Sequence, residues 1–281
     1  MLASSACATP QPPAEDTGPR ARPPAEAPTP PRIPVGPTAE MPPRAAERVR
    51  LVEVSRRKLA RGEMPRELAG GNKANGFDYR LRRDVGDVPP AIPRTEEGLE
   101  LFITDTVPEG WLTLYRTPLH QGNGMHGNGR FRAVLFSRDG RTRRWSLELN
   151  RFFSATEHLE VQDVRYVRGK LYFNEACQTY SREAGGKCSA LVRVDPVRGA
   201  VDWRTPPLTS NNVFIVHGAY VLAGYGFTAE PDYVHVIDAE TGRILARTRV
   251  DSAPTYVEAR GSRVWVVTYG DTLYGFDLVE E

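Results

Sequence analysis

At 281 residues the chain is long enough for one large or two small domains. Apolar residues make up 40 % and the net formal charge is +2, a balance that excludes a nucleic-acid binder driven by bulk charge. No apolar run reaches the roughly 18 residues that a membrane-spanning helix needs.

The composition is uneven. Of the 24 prolines, 13 fall within residues 1–45. Residues 1–43 carry almost no large apolar side chains and cannot bury enough surface to offset their ordering entropy. A disordered, partly polyproline-II tether is expected there. Its front, Met1-Leu2-Ala3-Ser4-Ser5-Ala6-Cys7, is a run of small residues ending in Cys and followed by the Pro-rich stretch. This resembles the cleavage region of a bacterial lipoprotein signal, which would make Cys7 a lipidation site and the one link to a membrane. The match departs from the pattern at Ser4, where Leu is usual, and lacks the basic and apolar regions of a signal peptide. The alternative is a Cys without a role in a disordered tail.

Residues 44–66 have few breakers, eight basic residues, and Val49, Val52 and Leu59 on part of one face, which predicts a short amphipathic helix packed on the body of the protein. Residues 67–98 are rich in Gly, Pro and charge. Irregular structure is expected there, with one strand near Phe77-Asp78-Tyr79.

From residue 99 onward short β runs alternate with turns and repeat. "LVRVDPVRGAVDW" (191–203) and "VHVIDAETGRILA" (234–246) align with Asp195 on Asp238 and Gly199 on Gly242. "VLFSRDGRTRRW" (134–145) is a looser copy, and "LYGFDLVEE" (273–281) is a truncated one. Between them run the hairpins "VRYVRGKLYF" (164–173), "VFIVHGAYVL" (213–222) and "VEARGSRVWVV" (257–267). Two hairpins per repeat of about 40 residues make a four-stranded propeller blade, whose two apolar faces are covered by its neighbours. The Asp is expected to cap each tight turn and the Gly to supply its positive φ. Trp145 and Trp203, at strand ends after these turns, should pack between blades.

"VIDAETGRIL" and "VDPVRGAVDW" resemble the repeats of pyrroloquinoline-quinone-type propellers and, more loosely, WD repeats. Asp238, Thr241 and Gly242 match the signature, with Ala246 in place of its Trp. Asp195, Gly199 and Trp203 also match, with Arg198 in place of Thr. The resemblance covers residues 130–281. It implies an all-β propeller and says almost nothing about activity. Residues 99–281 provide four to five blades. The last repeat stops after its third strand, so a segment within 75–117 is expected to complete it; the alternative is an incomplete ring.

Cys177 and Cys188 flank the turn-like "QTYSREAGGK". A disulfide there would stabilise the fold by roughly 3 kcal/mol and would place the protein in an oxidising compartment, the periplasm or the outer-membrane surface. The alternative is two free thiols. In the propeller register this loop shares a face with 224–232, 269–272 and the inter-blade connections. One rim should therefore gather Phe152, Phe153, Glu157, His158, Glu175, Asn211, Asn212, Tyr225, Phe227, Glu230, Asp232, Tyr269 and Asp271. The two histidines of "HQGNGMHGNGR" (120–130) lack further ligands at a metal-site spacing, and its glycines make no phosphate loop. No metal, cofactor or nucleic acid is expected.

These features point to an exported, non-enzymatic binding or scaffold propeller that meets a protein or small-molecule ligand at the loop rim. The alternatives are a quinone-dependent or hydrolytic enzyme using carboxylates on that face, and a purely structural envelope protein.

Overall fold

The computed structural model describes residues 44–60, 63, 65–68, 88–118, 129–155, 159–178, 180–227 and 229–281. The expectations for the tether, for Cys7 and for a strand at 77–79 lie outside those residues.

The chain is all-β and folds as a β-propeller, with four consecutive antiparallel blades among the described residues. The first holds β2 (Thr95–Glu96), β3 (Leu99–Val107), β4 (Gly110–Arg116), β5 (Phe131–Phe136) and β6 (Arg143–Glu148). The second holds β7 (Leu159–Glu160), β8 (Val164–Val167), β9 (Lys170–Cys177), β10 (Ala190–Asp195) and β11 (Ala200–Arg204). The third holds β12 (Phe214–His217), β13 (Tyr220–Tyr225), β14 (Asp232–Asp238) and β15 (Ile244–Val250). The fourth combines β16 (Pro254–Arg260), β17 (Arg263–Thr268) and β18 (Thr272–Glu280) with β1 (Val49–Lys58) from the other end of the chain.

This last strand corrects two expectations. Residues 49–58 form a strand, not a helix, and the segment that completes the last blade is 49–58 rather than one within 75–117. The physical reason is tertiary. The helical stripe was weak, whereas β18 offers a full edge of unpaired backbone groups, and β1 pairs along it from Val49↔Glu280 to Lys58↔Thr272. Val49 and Leu51, two apart, then fall on one face and bury against the third blade. Arg50 and much of the basic second half of the strand stay exposed.

The turn chemistry follows the repeat. Asp195 Oδ1 accepts from the backbone N–H of Val197 and Arg198 at 3.0 and 2.9 Å. Asp238 Oδ1 accepts from Glu240 and Thr241 at 2.8 and 3.2 Å. Gly242, at φ 74°, does more than close its turn: a Cβ there would stand 2.7 Å from the Trp203 ring. Trp203 therefore lies between the second and third blades, its Nε1 donating to the Ala239 carbonyl at 3.2 Å. Trp145 does the equivalent between the first and second, edge-on to Tyr166 at 5.4 Å.

Three apolar clusters fill the seams between consecutive blades. Ile103, Leu114, Phe131 and Leu135 meet Val164, Leu171 and Phe173. Tyr172, Leu191 and Trp203 meet Phe214, Val221 and Ile237. Ile215, Leu222, Val234 and Val236 meet Val257, Val266, Phe276, Val49 and Leu51. The remaining face of the first blade is covered by its own approach segment, with Ile92 and Val88 on Leu99, Leu101 and Tyr115. On the fourth blade, Arg57 reaches Glu63 and Glu67 of the chain leaving β1.

Candidate functional site

The loop face is built as the repeat requires. Connections between blades (149–155, 161–163, 205–213, 251–253) and loops joining second to third strands (178, 180–189, 226–227, 229–231, 269–271) lie at one end of the sheets. Hydrogen bonds tie the connections to the end of β9 and the loop that follows it. Ser154 donates through N and Oγ to Glu175 at 3.0 and 2.7 Å. Asn211 Oδ1 accepts from the Cys177 N–H at 2.7 Å and from the Ser189 hydroxyl at 2.8 Å. Asn174 Nδ2 donates to the Asn212 carbonyl at 2.6 Å.

Cys177 and Cys188 form a disulfide. It closes a hairpin that reaches from the second blade onto the third. Ser181 donates through N and Oγ to the Glu230 carboxylate at 3.0 and 2.7 Å. Tyr225 donates to the same carboxylate with a short bond. Tyr180 lies 5.8 Å from Phe227, and Tyr225 packs edge-on to Phe227 at 6.1 Å. Phe227 rests on the cluster formed by Leu159 and the two cysteines. Burial and the bond to Glu230 push the Tyr225 phenol far up.

Most of the residues expected to form a binding rim are thus engaged inside the protein. Glu175 is fully buried and also takes Arg204 at 2.8 Å. Asn211 and Tyr225 are buried, and Glu230 is saturated by Ser181 and Tyr225. Phe152 and Phe153 pack against Phe173, each with ring centroids 6.4 Å apart. Glu157 and His158 lie outside the described residues. Tyr269 is exposed on the fourth blade's loop beside Asp271, and Tyr180 and Leu208 are exposed on the second blade's side.

Asp232 stands apart. It opens β14, is nearly buried, and its Oδ1 has no hydrogen-bond partner. Burial, and then the charge of Asp251, raise its carboxyl to about 6. Asp251 is held low despite its own burial, because Thr272, Thr268 and Lys58 all bind it. Three residues along from Asp232, buried His235 turns toward the second blade. Burial, then Arg247, lower it to about 4.

Sequence reasoning missed Ser154, Ser181, Tyr180, Arg204 and Asp251, which complete these networks. It also missed the buried Asp163–Arg165 pair at 2.9 Å, whose carboxylate accepts from the Phe214 N–H of the third blade at 3.1 Å. The signal was present in "VQDVRY": two charges inside an apolar run must be buried together or not at all.

The sequence matches no protein-family model and no curated protein. Solved structures similar to part of it include BamB from Moraxella catarrhalis, at 11 % identity over 65 % of this chain and 70 % of that one, TM-score 0.27. The WD40 propeller domain of Doa1 matches at 11 % identity over 65 % and 62 %, TM-score 0.37. A Bacteroides caccae protein of unknown function matches at 17 % identity over 61 % of this chain and 54 % of its own, about half its length, TM-score 0.37. At such values the fold rests on the sheets themselves.

Proposed function

We propose that this is an exported, non-catalytic binding or scaffold propeller that receives a protein partner on its loop face. One observation carries the reading. Most polar groups of that face, Asp232 apart, are consumed in internal ties, while Tyr180, Tyr269 and Leu208 stay exposed above them at 43, 48 and 39 %. A rigid, largely satisfied platform that presents aromatics is suited to protein contact, because its groups lose little freedom on binding. The carboxylates an enzyme on this face would need are largely bound: Glu175 to Ser154 and Arg204, Glu230 to Ser181 and Tyr225, Asp251 to Thr268 and Thr272. The Cys177–Cys188 disulfide supports export, since such bonds persist in oxidising compartments. A lipid anchor at Cys7 would hold the platform at an envelope membrane by its Pro-rich tether; labelled-fatty-acid incorporation lost in Cys7→Ala is the expected result.

Photo-crosslinking residues placed at Tyr180 and Tyr269, with Val197 on the opposite face as control, test the docking surface. Val197 is 68 % exposed. Discrete adducts from the first two positions and none from the third are expected. The same pattern from all three would overturn the reading.

A further inference from the structure

Glu175, Glu230 and Asp251 each receive at least two hydrogen-bond donors. Asp232, on the same face, receives none among the described residues, although only 9 % of it is exposed and Oδ1 is enclosed. The backbone is shaped to accept this carboxylate. Gly226 stands directly over it at φ 156°, and a Cβ there would collide with Oδ1. A buried carboxylate without a donor opposes folding, and an apolar residue would serve stability better.

The chain's own cations do not neutralise it. Asp232 pairs with Val250 across the strands and Tyr233 with Arg249, so Arg249 emerges on the opposite face of the sheet; its charge lowers the Asp232 carboxyl but is outweighed by burial and Asp251. Lys58, from β1, is drawn to the Gly270 carbonyl at 2.9 Å and to Asp251 at 3.5 Å. The other groups that bear on Asp232 are acidic: Asp251 at the end of β15, and Glu230 two residues before it. The seam between the third and fourth blades is therefore a negative, partly dehydrated socket with one unsatisfied carboxylate.

We propose that Asp232 is the receptor for a basic side chain, Arg or Lys, of the protein partner, which enters at the seam between the third and fourth blades. The inference rests on the loop face being the docking surface and names the chemistry that this part of it selects. A guanidinium or ammonium would supply the missing donors and offset the Asp251 charge together. Specificity would follow, because a partner with a neutral residue at that point would leave the carboxylate buried and alone.

The test uses the full chain with carbon-labelled aspartate and follows the Asp232 carboxyl by NMR against pH. It is run alone and with excess N-acetyl-arginine amide, N-acetyl-lysine amide or the neutral citrulline analogue. A basic amide is expected to lower the Asp232 midpoint by about one pH unit, a tenfold preference for the ionised form. Citrulline is expected to leave it in place. A midpoint unmoved by both basic amides, or moved equally by citrulline, overturns the inference. A second arm keeps it separate from the docking surface. If Asp232→Asn still gives the Tyr180 and Tyr269 adducts at full yield, the socket is wrong and the surface stands. If those adducts fail in the wild type, the surface itself is wrong.

Discussion

The two seams on either side of the third blade are closed by opposite means. Toward the second blade, the loop face is fastened by hydrogen bonds and neutralised charge: Ser181 of a disulfide-closed hairpin on Glu230, Asn211 on the Cys177 backbone, and Asp163 paired with Arg165. Toward the fourth blade, closure depends on a strand recruited from the far end of the chain, and an acid is left unmatched. Both seams have continuous apolar cores. The difference lies in the polar layer above each core. In one layer the acids are matched, which suits a fixed scaffold; in the other Asp232 is left unmatched, which suits a ligand.

The contrast is broken most severely by removing β1. Truncating through Lys58 deletes Val49 and Leu51 from the core and strips the β18 edge of its partner along the whole strand. It also removes the Ala46 N–H bond to the Tyr220 hydroxyl at 3.0 Å. Two buried aliphatic side chains alone are worth about 4–8 kcal/mol, comparable to the whole stability of a domain. The expected outcome is a chain that aggregates or shows no cooperative melt. A cooperative melt near the wild-type temperature would mean that the fourth blade closes without β1. Next in size is the other seam. Cys177→Ser with Cys188→Ser should cost about 3 kcal/mol in urea unfolding and leave the third-to-fourth seam intact.

How legible these seams were differs in the same way. The Asp-x-x-x-Gly turns, the Trp packing and the Cys177–Cys188 pair are local or repeated signals, and all were visible in the sequence. β1 was not, because its strand character comes from an edge more than two hundred residues away; taken alone, "VRLVEVSRRK" satisfies a weak helical period about as well as an alternating one. The rim residues were located on the right face, yet their state was hidden. Whether Glu230 is free or bound depends on Ser181, 49 positions earlier, and no spacing rule links the two. Asp232 looked no different from Glu230 before its donors could be counted.

Acidity sharpens the comparison further, because Asp232 and His235 on one strand titrate with opposite signs. The Asp232 carboxyl sits at about 6 in the fold and about 3.9 unfolded, so between those values the folded chain binds the extra proton. By linkage its penalty is fully present at neutral pH and is relieved as pH falls through 6. His235 sits at about 4 in the fold and about 6.5 unfolded, so the unfolded chain binds the extra proton and acidification through that window destabilises. The two partly cancel. Asp232→Asn is expected to stabilise the protein on the order of 1–2 kcal/mol at pH 7. It should also steepen the loss of stability between pH 6.5 and 4, where only His235 remains. Urea melts at pH 7 and pH 5 check both statements. Equal stability of the variant and the wild type at pH 7 would show that Asp232 is solvated or paired in solution.

The smallest expected effect comes from Lys58, a cation at the incomplete seam. Lys58 holds the end of β1 against the fourth blade's loop through the Gly270 carbonyl and Asp251, but its side chain is 69 % exposed. Exposed pairs of this kind contribute a few tenths of a kcal/mol, and added salt screens them. Asp251 keeps Thr268 and Thr272 without it. Lys58→Met should therefore shift the urea midpoint barely beyond error. Its informative readout is the neighbour: with one positive charge removed from beside Asp251, the local field grows more negative and the Asp232 midpoint should rise slightly. An unmoved midpoint would mean that Asp251 and Asp232 do not share a field, and the acidic socket would lose its second wall.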